Sequence, residues 1–302
     1  MAMRLVAGVD VGGTRVKSVL SDADGSIVLA HTAPTPTQPG ERVVDVISET
    51  VSTLLDRAVD EGLDGMLTAV GAVVPGLVEE ATGVAAWSAN LGWRDLPLRE
   101  RLEARFDVPV AVGHDVRAGL LAEHRLGAAL GVPDALFVAL GTGIAGALLT
   151  SGRVVAGTEW TGEIGHVTVA PEGPVCGCGR RGCLEAVASA GALGRAWREL
   201  GREGDAEAVS RAVAAGDAEA IRIWEGAIDA LVRVIAPVCA AAGTRVLLVG
   251  GGLALAGGVL LDPLRDRLVG ALGHERITVT HAALGDRAAA LGASLLALET
   301  LT

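Results

Sequence analysis

The chain has 302 residues, 50% of them hydrophobic and 20% charged, with a formal net charge of -11. That length accommodates two domains with sizeable cores, while the acidic balance excludes a nucleic acid or an anionic membrane as partner, since both need clustered Lys and Arg. No apolar segment reaches the roughly 18 uninterrupted residues of a membrane span, and the mean hydropathy of +0.46 comes from Ala, Val, Leu and Gly spread along the chain.

The N-terminal residues run LVAGVDV, GGT, RVKSVL, an Asp24-Gly25 turn and SIVLAHTA. Short β-rich runs joined by tight turns predict an antiparallel meander. A dinucleotide fold would place a helix directly after the glycines, whereas VKSVL reads as strand. After the proline-rich loop 34–40, residues Val43, Val44, Ile47, Val51, Leu54, Leu55 and Ala58 follow helical spacing. Buried strands are expected at 69–74 and 108–112, flanking a short helix near LPLRERLEARF, and a helix at 115–127. Strand ALFVAL, the turn Gly141-Thr142-Gly143 and strand IAGALLTSG then repeat the β, glycine turn, β layout of the N-terminus. The duplication predicts two related α/β lobes with phosphate turns facing one another across a cleft. Residues 187–243 read as mostly helical, RVLLV as a buried strand, VLLDPLRDRLVGAL as a helix, and RAAALGASLLALETL as a helix returning to the first lobe. The expected division is a small lobe over 1–113 completed by helix 287–302, and a large lobe over 114–286.

Asp10-Val11-Gly12-Gly13-Thr14 contains what a nucleotide's terminal phosphates need. The glycines let backbone N–H groups approach an anion, Thr14 offers a hydroxyl, and Asp10 can hold a metal ion through water. An ordinary hairpin turn would look the same locally. Gly141, Thr142 and Gly143 at the equivalent place in the second lobe, and Gly250-Gly251-Gly252 after RVLLV, favour the phosphate and nucleoside reading. His166, Cys176, Cys178 and Cys183 form H-x9-C-x-C-x4-C, a donor set suited to tetrahedral zinc in a closed structural site. The loop has little apolar content and needs the metal to hold a shape. Cys239, in an apolar run, reads as a buried small hydrophobe.

DVGGT, GHD before a helix, GTG, GEIGH and CGCGRRGCLE occur in this order over nearly the whole chain. The chain resembles the ROK family (repressors, open reading frames and kinases) on these motifs, and GEIGH followed by CGCGRRGCLE is the most specific of them. The resemblance implies an α/β, two-lobed actin-like ATPase (ribonuclease H-like) fold with a cleft between lobes. It implies ATP-dependent phosphorylation of a hexose 6-hydroxyl, glucokinase-like, with Mg²⁺ on the nucleotide. Asp115 matches the family's catalytic aspartate, which accepts the proton of the attacking hydroxyl. The same Asp can also cap the helix that follows. Glu163, His166 and Glu185 match residues that hydrogen-bond sugar hydroxyls, so His166 would share its ring between zinc and sugar. Asn90 in WSANLGW and Gly76 in VPGLV match acceptor-side positions, with Trp87 and Trp93 as pocket walls.

One departure bears on the substrate. Family sugar kinases usually carry Asn before the catalytic Asp; here it is His114, whose larger and titratable ring is expected to sit in the sugar pocket and alter which sugar fits. Alternative acceptors are kanosamine or another amino sugar, mannose, N-acetylmannosamine or a C7 cyclitol; polyphosphate is an alternative donor. A non-catalytic sugar sensor is the reading from another class, opposed by Asp10, Gly141-Thr142-Gly143 and Asp115. ROK repressors add an N-terminal DNA-binding segment, whereas this chain opens on the first strand and so resembles the kinases. With no cleavable signal pattern, a cytoplasmic enzyme is expected; a homodimer follows from family resemblance.

Overall fold

The structure, a computed structural model, describes residues 3–63, 65–88, 90–273 and 277–301. Two compact units emerge from the pattern of contacts: Met1–Arg125 with Ala156–Thr161 and Asp286–Thr302, and Leu126–Val155 with Gly162–Gly285.

In the first unit, β1 (Met3–Val11), β2 (Arg15–Ser21) and β3 (Ile27–Pro34) form the expected antiparallel meander. Helix α1 (Val43–Asp60) follows, then β4 (Gly65–Val74). The short strands β5 (Leu77–Glu79), β6 (Val84–Ser88) and β7 (Trp93–Leu96) pair antiparallel as a small separate sheet. Helix α2 (Leu98–Glu103) precedes β8 (Val110–His114), and helix α3 spans Asp115–Leu126. The main sheet has the order β3-β2-β1-β4-β8, with β4 and β8 parallel to β1.

Alternation sorts this sheet's two faces. Leu5, Ala7, Val9 and Val11 of β1 join Val70, Ala72 and Val74 of β4 in the core beneath α1 and α2. The opposite face is built from small residues, because the C-terminal helix α9 (Ala288–Glu299) lies directly on it. A Cβ at Gly71 would overlap the carbonyl of Ala293, and one at Gly8 that of Ala290. Glycine is required at both strand positions for the helix to approach.

Helix α3 joins the same layer: a Cβ at Gly292 would overlap Ala118 O, and Val73, Ala118 and Ala293 cluster together. This packing carries the first unit through Arg125, where the motif order had suggested an end at 113.

In the second unit, β9 (Ala135–Leu140), β10 (Ile144–Thr150) and β11 (Arg153–Val154) form another antiparallel meander. Helices α4 (Leu184–Ala188), α5 (Ala190–Glu199), α6 (Ala206–Ala214) and α7 (Ala218–Ala242) precede β12 (Val246–Gly250). A 3₁₀ segment at Gly252–Ala256, helix α8 (Gly258–Leu272) and β13 (Thr278–His281) complete the unit. The sheet order is β11-β10-β9-β12-β13, with β12 parallel to both β9 and β13. Strand for strand this is the arrangement of the first unit, with β9 in the place of β1 and β12 in that of β4. The duplication read from the glycine turns is therefore a duplication of topology.

The second core collects Leu136, Val138 and Leu140 of β9 with Trp197, Trp224, Leu231 and Leu264 from the helices. Cys239 is 2% exposed in this core, and burial pushes its thiol up to about 11. It is the inert apolar cysteine expected.

Candidate active site

The catalytic candidates of the first unit lie at strand ends. Asp10 stands near the end of β1 and is 7% exposed. Burial pushes its carboxyl up to about 8; the charges of Asp115 and Asp286 add to the rise, and Lys17, 3.8 Å from Asp286, opposes it. A buried carboxylate among two others and one lysine suits a site that receives a cation. The unfolded chain releases this proton near pH 3.8 and the folded one near pH 8. Between these values the folded state holds the extra proton, so its stability falls as pH rises, by at most about 1.4 kcal/mol per pH unit, and levels off above pH 8. Thermal unfolding of the nucleotide-free protein across this window should decline less steeply in Asp10→Asn; parallel curves would remove Asp10 from the account.

The turn after Asp10 is pinned by Gly12 N–H donating to Arg15 O at 3.0 Å and by the Thr35 hydroxyl donating to Gly12 O at 2.7 Å. Gly13 and Thr14 are exposed. At Gly13 a Cβ would meet nothing within 4 Å, and its φ is not positive. Neither packing nor backbone conformation demands glycine there, which leaves close approach of an anion to the backbone as its physical use.

Asp115 opens α3, and its Oδ1 accepts the N–H of Val116 at 2.8 Å. The side chain is 25% exposed, yet every other residue from 110 to 123 is buried. His114 is 2% exposed. Its N–H donates to Glu80 Oε1 at 2.9 Å, while its Nδ1 lies 3.2 Å from both Val116 N and Asp115 Oδ1. The ring is thus packed against the start of α3 and against the base candidate itself. Arg117, which is buried, and Glu80, which is half-buried, were not singled out by the motifs and pair at 2.8 Å beside them.

Gly76 has φ +98°, and a Cβ there would overlap Trp87 O, so local packing already requires glycine. Asn90 is exposed between β6 and β7. Trp93, expected as a pocket wall, is 4% exposed in the core with Leu91 and Leu96, because pairing of β7 with β6 turns it inward; Trp87 is half-buried.

In the second unit, the Gly141-Thr142-Gly143 turn joins β9 to β10 and is closed by Gly141 N–H donating to Gly143 O at 3.0 Å. Glu185, near the start of α4, accepts the Ile144 N–H at 3.1 Å with Oε2, and its Oε1 lies 3.9 Å from Cys176 Sγ. Thr142 and Gly252 line one cavity of about 850 Å³, together with Arg198, Asp205, Glu207 and Arg211 from the α5–α6 region. This volume suits a nucleotide-sized ligand, and Gly252 again has open space where a Cβ would be. Gly250 and Gly251 answer to packing: a Cβ would crowd the Phe137 ring at the first, and overlap Leu140 O at the second. The α5–α6 wall carries no sequence signal beyond Asp205 as the N-cap of α6.

Beside this turn, Glu163, His166, Glu185 and the three cysteines converge. The ligand atoms of His166, Cys176, Cys178 and Cys183 all lie within 4.8 Å of one another. His166 Nδ1 is 3.7 Å from Cys176 Sγ, and Cys178 Sγ is 3.6 Å from Cys183 Sγ. A tetrahedral zinc with bonds of about 2.3 Å sets sulfurs about 3.8 Å apart, so the donors fit the ion. The other ring nitrogen, Nε2, points to Glu163 Oε2 at 3.7 Å. Burial pushes the Cys183 thiol up to about 12 and also raises Cys176. For Cys178 burial acts the same way, but the Arg180 N–H and guanidinium outweigh it and bring the thiol down to about 7.

Residues 6–300 match the ROK family. A glucokinase of Thermotoga maritima is 33% identical over 87% of this chain and 86% of its own length. Among solved structures, a ROK hexokinase from Thermus thermophilus is 34% identical with a TM-score of 0.81, covering 98% of this chain and 99% of that one. A ROK family glucokinase from Streptomyces griseus, in complex with glucose and AMPPNP, is 29% identical with a TM-score of 0.82 at the same coverage. The motifs, the duplicated α/β architecture and these likenesses agree, and the chain belongs to the ROK family.

Proposed function

We propose that this protein is an ATP-dependent hexose kinase of the glucokinase type, transferring the γ-phosphate to a primary 6-hydroxyl. The observation that carries the reading is Asp115, the one residue in the run 110–123 that is not buried. Its carboxylate takes the proton of the acceptor hydroxyl as that oxygen attacks phosphorus, and ADP leaves. The cavity lined by Thr142 and Gly252 holds the nucleoside, the turns at Gly12-Gly13-Thr14 and Gly141-Thr142-Gly143 offer backbone N–H groups to phosphate, and Glu163, His166 and Glu185 bind the sugar. Asn90 and Gly76 belong to the acceptor side by family resemblance. Asp10 would hold Mg²⁺ through water, and the ion would supply charge neutralisation on the phosphates. Zinc on His166, Cys176, Cys178 and Cys183 is structural, since four protein donors leave no open position for water. Among the described residues no helix is long and apolar enough to cross a membrane; cytoplasmic residence and a homodimer complete the proposal on resemblance.

His114 favours keeping a second group of acceptors in view. Buried against Asp115, it bears on the acceptor through the base and through the volume it fills. The test is ADP release with Mg-ATP across glucose, mannose, glucosamine, kanosamine, N-acetylated hexosamines and C7 cyclitols, using wild type and His114→Asn. Glucose preference with little change in the variant makes the protein a glucokinase. Preference for another acceptor, shifted toward glucose by His114→Asn, assigns specificity to the histidine. No ADP release above the sugar-free blank with any acceptor would overturn the kinase reading in favour of a sensor.

A further inference from the structure

Arg117 is 3% exposed and lies two positions after Asp115 on a helix whose buried residues, Arg117 and Glu123 apart, are apolar. Its guanidinium spends its donors on three separate acceptors: Nε on Glu80 Oε1 at 2.8 Å, Nη1 on Thr161 O at 2.7 Å and Nη2 on Val78 O at 3.2 Å. Glu80 Oε1 in turn accepts the backbone N–H of His114 at 2.9 Å. A buried charge is costly unless paired and hydrogen-bonded. A residue needed only to fill this space would be Leu or Met. What Arg supplies is a planar fork that fixes several acceptors at once.

The bond to Thr161 O has a particular consequence. Residues 156–161 group with the first unit, although the chain on either side of them belongs to the second. Thr161 is followed directly by the GEIGH stretch, which opens with Gly162, φ +94°, and Glu163, the proposed sugar ligand. Arg117 therefore fastens the approach to that stretch to the helix whose first residue is the base.

We infer that Arg117 is a positioning residue for the acceptor: by holding Thr161 it sets where the GEIGH stretch begins, and so how Glu163 meets the sugar. The inference rests on the reading that Glu163 binds the acceptor. It separates sugar affinity from nucleotide affinity, since Glu80, Val78 and Thr161, the acceptors of the Arg117 guanidinium, do not line the cavity proposed for the nucleotide.

The informative variant is Arg117→Lys, which keeps a charge opposite Glu80 but cannot reach three acceptors; Arg117→Gln is its neutral companion. Hydrogen exchange of the ligand-free protein and steady-state kinetics are measured together. In Arg117→Lys, amides of 156–166 should exchange at least about tenfold faster than in wild type, while amides of α7 in the second core keep their wild-type protection. The KM for the sugar should rise about tenfold or more, while the KM for ATP stays within about twofold. Wild-type exchange at 156–166 would overturn the inference, and so would faster exchange with an unchanged sugar KM. If the wild-type protein phosphorylates none of the acceptors, the kinase reading fails on its own, and the exchange experiment still decides whether Arg117 holds the segment. Should Arg117→Gln fail to fold, the lysine variant carries the test alone.

Discussion

Asp115→Asn lowers turnover by about 10²- to 10⁴-fold and leaves the melting temperature unchanged. The two halves of this expectation have different origins. An amide oxygen accepts the Val116 N–H as the carboxylate does at 2.8 Å, so the start of α3 is held as before. What the amide cannot do is take a proton from the acceptor hydroxyl. KM values for sugar and ATP should move little, because the loss falls on the transition state and not on binding. The measurement is ADP release at saturating substrates beside a thermal melt. Normal turnover in this variant would refute the mechanism, whatever the acceptor.

The second large effect is expected at the cysteine loop. Residues 167–183 fold back on themselves through backbone hydrogen bonds such as Val169 N–H to Gly182 O, Cys176 N–H to Arg180 O and Gly182 N–H to Pro174 O, and through bridges from Thr168 to Cys183 and from Val175 to Arg181. On the proposed zinc reading, a loop with so few apolar side chains takes its side-chain order from the ion as well as from these backbone bonds. Removing zinc with a strong chelator, or replacing Cys183 by Ser, should raise the sugar KM on the order of tenfold or more and lower the melting temperature. The route is His166: with its Nδ1 no longer fixed beside Cys176, the ring loses its orientation, and Glu163, 3.7 Å from Nε2, loses its neighbour. ATP affinity should suffer less. Elemental analysis of the purified protein checks the premise, and a protein that contains no zinc yet binds sugar normally would sink it.

How far the residues alone led can be judged element by element. The two meanders were legible because β-rich runs and glycine turns are local signals, and repeating them exposed the duplication. The place of Asp115 at a helix start and the convergence of His166 with the three cysteines were legible because both are written in short spacings. The small β5–β7 sheet was not, since its strands have three to five residues and too little alternation to declare themselves. β13, with four residues and no fully buried position, escaped for the same reason. The extent of the first unit was hidden in a through-space fit between Ala118 and Gly292. Arg117 and Glu80 are 37 residues apart, and no local pattern announces that such a pair will meet. The wall of the cavity beside Thr142 and Gly252 is likewise a matter of helix packing.

The glycine and alanine face under α9 has a consequence for how the protein is made. All residues of the second unit precede α9 in the chain, so on the ribosome that unit can close while the sheet of the first still lacks its cover. Parallel strands waiting on a distant partner are exposed to wrong pairing and aggregation. Here the waiting surface is Val6, Gly8, Ala69, Gly71, Val73 and Ala111, in which glycine and alanine separate the two valines and leave a foreign chain a small apolar area to adhere to. The same residues that admit the helix closely at the end keep the nascent protein inconspicuous until it arrives.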